Sequence, residues 1–488
     1  MESQQSSNQK DLVKGVSSQT LITIAVGVLN IVSFAFFSRL LSKEVFGYFA
    51  ALNAVITVFQ GISEAGLGSA VIQRKDYSQN YFSTAFTLSL IISLFLSVLL
   101  FVLAGPLSLL VSDETLINPL RIISILLVFN SIDSIGRAAM MRKLDFLRYG
   151  LIQIISYVLS YGIGIYLAYK GFGLYSLVAA AVLNAVFTCI LIFSSDVKIP
   201  RLHIDRKDCK QIVSFGGWLT ASVLVNQLTQ QLDKLVLSKW LSVVQLGAYS
   251  RPSGFIGTIS DRFNGIFDTV LFPILSKIQD EKSKIKSSFL EAISLLNSFS
   301  VVMAAVFFFN AELIIQIFFG KEWLDITYVF RIISVGVVLM IDARLMDCFF
   351  RSLALVKLNF YLRLICMFIM LGALYIGSTY GIVGVAYSVV IANTMAIIIK
   401  MTVLCRHIEI SVVSVLKVFF SSLKPSLLLC LVGVIYIFIS DRMSFLENLL
   451  FASVFGVCVF VEFILYPQLV SKRYVQLITP YRNKMLKK

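Results

Sequence analysis

The sequence predicts an all-α polytopic membrane protein. About 14 transmembrane helices are expected, as two pseudo-symmetric six-helix lobes around a central cavity plus two C-terminal helices. Three observations predict it. Hydrophobic residues make up 58% of the 488 positions, charged residues only 14%, and the mean hydropathy is +0.87, whereas soluble domains run nearer half apolar and a quarter charged. Apolar stretches of about 20 residues recur between charged turns, each long enough to cross a bilayer with its backbone satisfied internally. Short motifs from the first half also return, in the same order, in the second. A soluble enzyme could not hide this much apolar surface. The 8 prolines and 27 glycines exclude collagen-like or low-complexity character.

Taken in order, Met1 to Lys14 is polar, and the apolar run beginning near Gly15 lacks a small-residue cleavage site. It reads as a retained first span, not a removed signal peptide. Further spans are expected to begin near Phe46, Phe82, Ile117, Tyr149 and Phe172. A polar break from Ser194 to Lys210 carries Lys198, Arg201, Arg206, Lys207 and Lys210. Spans resume near Gln211, Gly247, Ser288, Leu324, Leu358 and Ile382, and two more begin near Lys417 and Phe445. The expected organisation is an N-terminal six-helix lobe over residues 1–200 and a C-terminal six-helix lobe over 201–410. Residues 411–488 supply two extra helices and a basic tail. No connection is long enough to fold outside the membrane.

The formal charge is +15. A basic excess raises nucleic acid as a partner, but no basic stripe with interleaved aromatics occurs, so no nucleic-acid role is expected. The cations fall mostly in alternate connections: roughly 30 of the 42 Lys and Arg lie on the side of the N-terminus and about 8 on the other. Both termini are therefore expected to face the cytoplasm. The 7 cysteines show no CxxC spacing and only 2 histidines accompany them, so no metal or redox site is expected and the thiols read as small packing residues.

The motif repetition is specific. Ser38-Arg39-Leu40-Leu41-Ser42, followed by Gly47 and Phe49, returns as Ser238-Lys239-Trp240-Leu241-Ser242 with Gly247 and Tyr249. Arg121-Ile122-Ile123-Ser124 returns as Arg331-Ile332-Ile333-Ser334, Ile132-Asp133 as Ile341-Asp342, and Tyr175-Ser176 as Tyr387-Ser388. Any one pair is cheap in an apolar composition; their shared order is not. An even number of spans per repeat makes the copies parallel, related by an axis along the membrane normal. Two such bundles facing each other leave a cavity, and rocking them gives alternating access. The sequence thus predicts a transporter.

Two stretches carry a family resemblance. One is Gln231-Leu232-Asp233-Lys234-Leu235-Val236-Leu237-Ser238 with Leu246-Gly247-Ala248-Tyr249-Ser250-Arg251. The other is Glu64-Ala65-Gly66-Leu67-Gly68-Ser69-Ala70-Val71-Ile72-Gln73. With the fourteen-span plan they resemble the polysaccharide-flippase (Wzx-like) branch of the multidrug/oligosaccharidyl-lipid/polysaccharide exporter superfamily, over nearly the whole chain. The resemblance implies translocation of undecaprenyl-pyrophosphate-linked oligosaccharide repeat units across a bacterial inner membrane, for capsule, O-antigen or exopolysaccharide. It also implies membrane lipids, a polysaccharide polymerase and other biosynthetic proteins as partners.

Charges within the spans are the candidate functional residues, because an ionised side chain at the bilayer centre costs about 2.5–3.5 kcal/mol on insertion scales. Lys234, Arg251, Arg262 and Arg344 are expected to face a partner or a wet cavity, where guanidinium groups match phosphate oxygens bidentately. Arg251 and Arg262 are eleven residues apart, three helical turns, on a stripe with Thr258, Gly265 and Thr269. Arg251 reads alternatively as a side chain snorkelling to the interface. Glu64, Asp133, Asp268 and Asp342 read either as ion-coupling carboxylates or as counter-ions for neighbouring cations. Arg137, four residues after Asp133, favours pairing there, and Arg344 and Asp347 are spaced to pair along one helix.

No GxxxxGK[ST] loop occurs, so no ATPase activity is expected of this chain. No cofactor is expected; a proton or sodium gradient, or the membrane potential, is the expected driving force. The rival transport reading is a cation-coupled multidrug exporter of the same superfamily, whose cationic substrates suit an acidic cavity better than a basic one. A membrane glycosyltransferase or polymerase would need a sizeable external loop with catalytic acids. None is present.

Overall fold

A computed structural model describes residues 22, 25–64, 79–109, 113–142, 145–195, 201–266, 271–423, 430–436, 446–448 and 450–451. The described residues form helices and turns, with no strand among them. The helices are α1 (Ala25–Leu40), α2 (Lys43–Glu64), α3 (Gln79–Val102), α4 (Leu126–Arg142), α5 (Phe146–Tyr169) and α6 (Leu174–Phe193), followed by α7 (Arg206–Trp240) and α8 (Val243–Ile266). After them come α9 (Lys282–Phe309), α10 (Thr327–Ser352), α11 (Val356–Ser378), α12 (Gly381–His407) and α13 (Val412–Ser422). Among the described residues nine helical segments are long and apolar enough to cross a membrane; α1 and α13 are shorter apolar helices.

Helix starts follow local chemistry more closely than hydropathy. The span expected near Gln211 begins earlier, at Arg206, because the Asp205 carboxylate accepts the Asp208 backbone N–H at 3.1 Å and caps the first turn. Three cations of the expected polar break therefore lie on α7. The span expected at Gly247 begins at Val243, where Ser242 accepts the Gln245 N–H at 3.3 Å. Its counterpart Ser42 accepts the Val45 N–H at 3.4 Å at the start of α2. Helix breaks fall where the backbone turns left-handed: Gly171, Gly173, Gly320 and Gly381 all have positive φ.

The chain divides into two compact units, residues 1–250 and 251–488. In the first, α3, α4, α5 and α6 share a core of Phe82, Ala85, Phe86, Ile135, Ala138, Met140, Tyr149 and Ile192. Small residues let α5 and α6 approach: a Cβ on Gly164 would meet the Ala180 Cβ at 2.6 Å. The connection before α7 docks on α3, where His203 N–H donates to Thr87 Oγ1 at 3.1 Å and Asp205 N–H to Thr84 Oγ1 at 3.2 Å.

In the second unit, Phe255, Phe307, Phe319 and Phe330 pack with ring centroids 5.6–6.3 Å apart. Helices α11 and α12 pair as α5 and α6 do: a Cβ on Gly377 would fall 1.9 Å from Ser388 Oγ and one on Gly384 2.4 Å from the Gly377 carbonyl oxygen. Their outer faces leave Tyr361, Ile365, Phe368, Tyr375 and Ile376 exposed. Such a stripe of apolar side chains suits lipid, not water. The turn after α12 places Glu409 at φ 56, where it pairs with Lys282 and Lys286 at the start of α9.

Candidate functional site

Polar chemistry inside the spans gathers at three places. The first lies on α7 and the start of α8. Lys234 is half-buried and its Nζ donates to Gln231 Oε1 at 3.1 Å, one turn earlier on the same helix. The Asp233 carboxylate accepts the Tyr249 hydroxyl at 2.9 Å and the Lys234 backbone N–H at 2.8 Å. The motif that carried the family resemblance is thus a hydrogen-bonded joint between α7 and α8. Arg251 follows Tyr249 by two residues, half-buried and directly before Pro252. That proline has no backbone N–H to give to the helix ladder. Arg262 lies on α8 by its backbone, but its side chain falls outside the described residues, as does the side chain of Glu64 at the end of α2; Asp268 lies wholly outside them.

The second place is Asp133 on α4. The Tyr149 hydroxyl of α5 donates to Asp133 at 3.4 Å and accepts from Gln153 Nε2 at 3.3 Å. The Arg137 charge also acts on the carboxylate. The hydrogen-bond partner that the geometry gives the carboxylate is the Tyr149 hydroxyl of the neighbouring helix. Its repeat mate is placed differently. Asp342 is 3% exposed on α10, and among the described residues its Oδ1 has no hydrogen-bond partner. It faces Asn297 of α9, 1% exposed, whose side-chain amide interacts with the carboxyl without making a hydrogen bond of good geometry among the described residues. No cation touches Asp342 among the described residues. A carboxylate and an amide oxygen, buried together and undersatisfied, can hold a proton or a small monovalent cation.

The third place was not read from the sequence. Asp347 of α10 accepts Arg363 Nη2 of α11 at 3.0 Å on one carboxylate oxygen and Lys400 Nζ of α12 at 3.0 Å on the other. Spacing along α10 suggested that Asp347 would pair with Arg344; its partners instead come from the two neighbouring helices. Both cations are deep, with side-chain exposures of 20% for Arg363 and 8% for Lys400. Three spans are thereby tied through one carboxylate, and the cluster carries a net charge of +1. Arg344 is half-buried on the same helix. The available signal was the lone cation in the middle of each of two apolar stretches, Arg363 and Lys400.

The comparisons with known proteins agree with this arrangement of helices. The chain is 21% identical to the lipopolysaccharide biosynthesis protein WzxC of Escherichia coli K12, over 81% of each chain. It is 24% identical to the teichuronic acid biosynthesis protein TuaB of Bacillus subtilis 168, over 67% of this chain and 68% of that one. It is 23% identical to the succinoglycan biosynthesis transport protein ExoT of Rhizobium meliloti, over 65% and 64%. Among solved structures, an inward closed conformation of the lipid II flippase MurJ superposes with a TM-score of 0.71 over 93% of this chain and all of that one, at 18% identity. An inward-facing conformation of a multidrug resistance MATE family transporter of the MOP superfamily superposes at 0.61, at 17% identity, over 80% of this chain and 98% of that one. The fold is therefore that of polytopic helical membrane transporters. The family model described as "Polysaccharide biosynthesis protein" matches residues 36–328, and the chain belongs to that family.

Proposed function

We propose that this protein flips undecaprenyl-pyrophosphate-linked oligosaccharide repeat units from the cytoplasmic to the outer leaflet of a bacterial inner membrane, for the assembly of a surface polysaccharide. Fourteen spans in two six-helix lobes, both termini in the cytoplasm, would give alternating access to a cavity lined by cations. Membership of a polysaccharide biosynthesis family supports the cargo class, and the likeness to a lipid II flippase supports a lipid-linked form of it. The observation that carries the reading is the basic charge set deep between the helices, where Arg363 and Lys400 share the single carboxylate of Asp347. A diphosphate is the natural complement of such a surface.

Outward movement of a negatively charged head group is driven by the membrane potential, by about 2.3 kcal/mol per charge per 100 mV. Asp342 supplies a second coupling route, since it is buried without a cation while Asp133 is engaged by Tyr149 and Arg137. A proton or sodium ion returning on Asp342 would reset the cycle. The cation-coupled multidrug exporter is the second reading, supported by the likeness in fold to solved multidrug resistance transporters. A strain lacking the gene tests the proposal: lipid-linked oligosaccharide accumulates on the cytoplasmic leaflet and surface glycan is lost. Unchanged glycan together with new drug sensitivity would replace the flippase by the exporter.

A further inference from the structure

The Asp347 cluster has an asymmetry that a structural staple does not need. Arg363 carries five N–H donors and Lys400 three, yet among the described residues each gives one bond, both to the same carboxylate. Two cations around one anion leave a charge of +1 in the membrane interior, where an uncompensated charge costs several kcal/mol. The Arg363 side chain keeps 20% of its surface open, more than Lys400 with 8%.

The three residues also share a depth. Asp347 lies five residues before the end of α10 at Ser352, Arg363 seven after the start of α11 at Val356, and Lys400 seven before the end of α12 at His407. At about 1.5 Å per residue, all three sit about 8–10 Å in from the same end of their helices. In the orientation proposed above that end is cytoplasmic, and the depth is that of a lipid head group just below the membrane surface. The two carboxylate oxygens of Asp347 hold the two cations at a separation that two oxygens of a phosphate would also bridge.

We infer that Arg363 and Lys400 form an anion site for a lipid-borne diphosphate at the cytoplasmic end of α10–α12, with Asp347 as an internal anion that occupies the site until the ligand displaces it. The site rests on the flippase reading for its ligand class and its orientation. Displacement also loosens the tie between α10, α11 and α12, so loading and release of the three helices are one event.

Binding to purified protein in nanodiscs tests the site, with polyprenyl pyrophosphate, inorganic pyrophosphate and phosphatidylglycerol as separate probes. Wild type is expected to bind the polyprenyl pyrophosphate, Arg363→Gln and Lys400→Gln to bind it at least about tenfold more weakly, and Asp347→Asn about tenfold more tightly, because the competing anion is gone. The pair Asp347→Asn/Lys400→Met removes one charge of each sign and keeps the test available if a single change does not fold; weaker binding than wild type is expected of it. Unchanged affinity in the glutamine variants, or weaker binding in Asp347→Asn, overturns the site and leaves a staple. Equal binding of phosphatidylglycerol overturns the diphosphate class, and equal binding of inorganic pyrophosphate overturns the lipid-borne source. Export in the gene-deletion strain is scored separately. Normal export with these binding effects intact removes the flippase reading and keeps the anion site; lost export with unaffected binding does the reverse.

Discussion

Gly47 and Gly247 pack backbone against backbone, and each meets the partner of the other. A Cβ on Gly47 would sit 1.9 Å from the Val243 carbonyl oxygen, and one on Gly247 would sit 1.8 Å from the Lys43 carbonyl oxygen. Lys43 and Val243, like the two glycines, are 200 residues apart. The contact is therefore a reciprocal one between the starts of α2 and α8, as two related copies of one motif make across a pseudo-two-fold axis. Ser42 and Ser242 cap both helices in the same way, three residues before Val45 and Gln245.

Alanine at Gly47 or Gly247 must push two backbones apart, because a carbonyl oxygen cannot rotate aside as a side-chain end can. Each substitution is expected to lower stability by about 1–3 kcal/mol, read as thermal unfolding in detergent. Alanine at Gly257, whose Cβ would meet nothing within 4 Å among the described residues, is the control and should be near neutral.

Removing Asp347 leaves two cations buried without their anion. Asp347→Asn is expected to cost about 3–5 kcal/mol of stability, and the double variant Asp347→Asn/Lys400→Met markedly less. Urea or thermal unfolding of the single and double variants gives the comparison. Equal losses in the two would mean that the charges do not interact.

Asp342 and Asp133 are expected to part company in transport. In proteoliposomes, an imposed proton or sodium gradient should accelerate wild type and Asp133→Asn, while Asp342→Asn should turn over at a rate indifferent to both gradients. The difference follows from the unbonded Asp342 Oδ1 against the Tyr149-bonded Asp133.

The Glu409 turn has a defined pH response. Its hydrogen bond to Lys282, with the charges of Lys282 and Lys286, holds the carboxyl below its ordinary 4.5. A carboxyl lowered in the folded state contributes stability that is present above 4.5 and is lost as the pH falls through the folded value. A carbon-13 titration of labelled glutamate should place Glu409 below 4.5, and Lys282→Ala/Lys286→Ala should return it towards that value. The effect on overall stability should be small, since the pair is exposed to water.

The helical membrane fold was legible because composition and run length bear directly on it, and the correspondence of Gly47 and Gly247 was legible because neither position has room for a Cβ. The site was legible only in part. Lys234 was recognisable as an intramembrane cation, but its bond to Gln231 depends on side-chain geometry that spacing does not fix. Asp347 was assigned to its own helix because a three-residue spacing is the only pairing a sequence displays. Its true partners, 16 and 53 residues away, meet it only when α10, α11 and α12 pack. Arg363 and Lys400 looked like isolated cations in apolar runs for the same reason. Asp133 and Asp342 looked equivalent as repeat mates, and differ because Tyr149 reaches one while Asn297 faces the other.

The most direct measurement is flipping in ATP-free proteoliposomes that hold the purified protein and a polyprenyl-pyrophosphate oligosaccharide in one leaflet, with a lectin or glycosidase reporting its arrival in the other. The account predicts transfer that depends on the protein, quickens with a membrane potential negative on the starting side, and is lost when the proposed substrate-binding cations Arg262 and Arg344 are both replaced by glutamine. Transfer no faster than in protein-free vesicles, or equal transfer with the double glutamine variant, would contradict it.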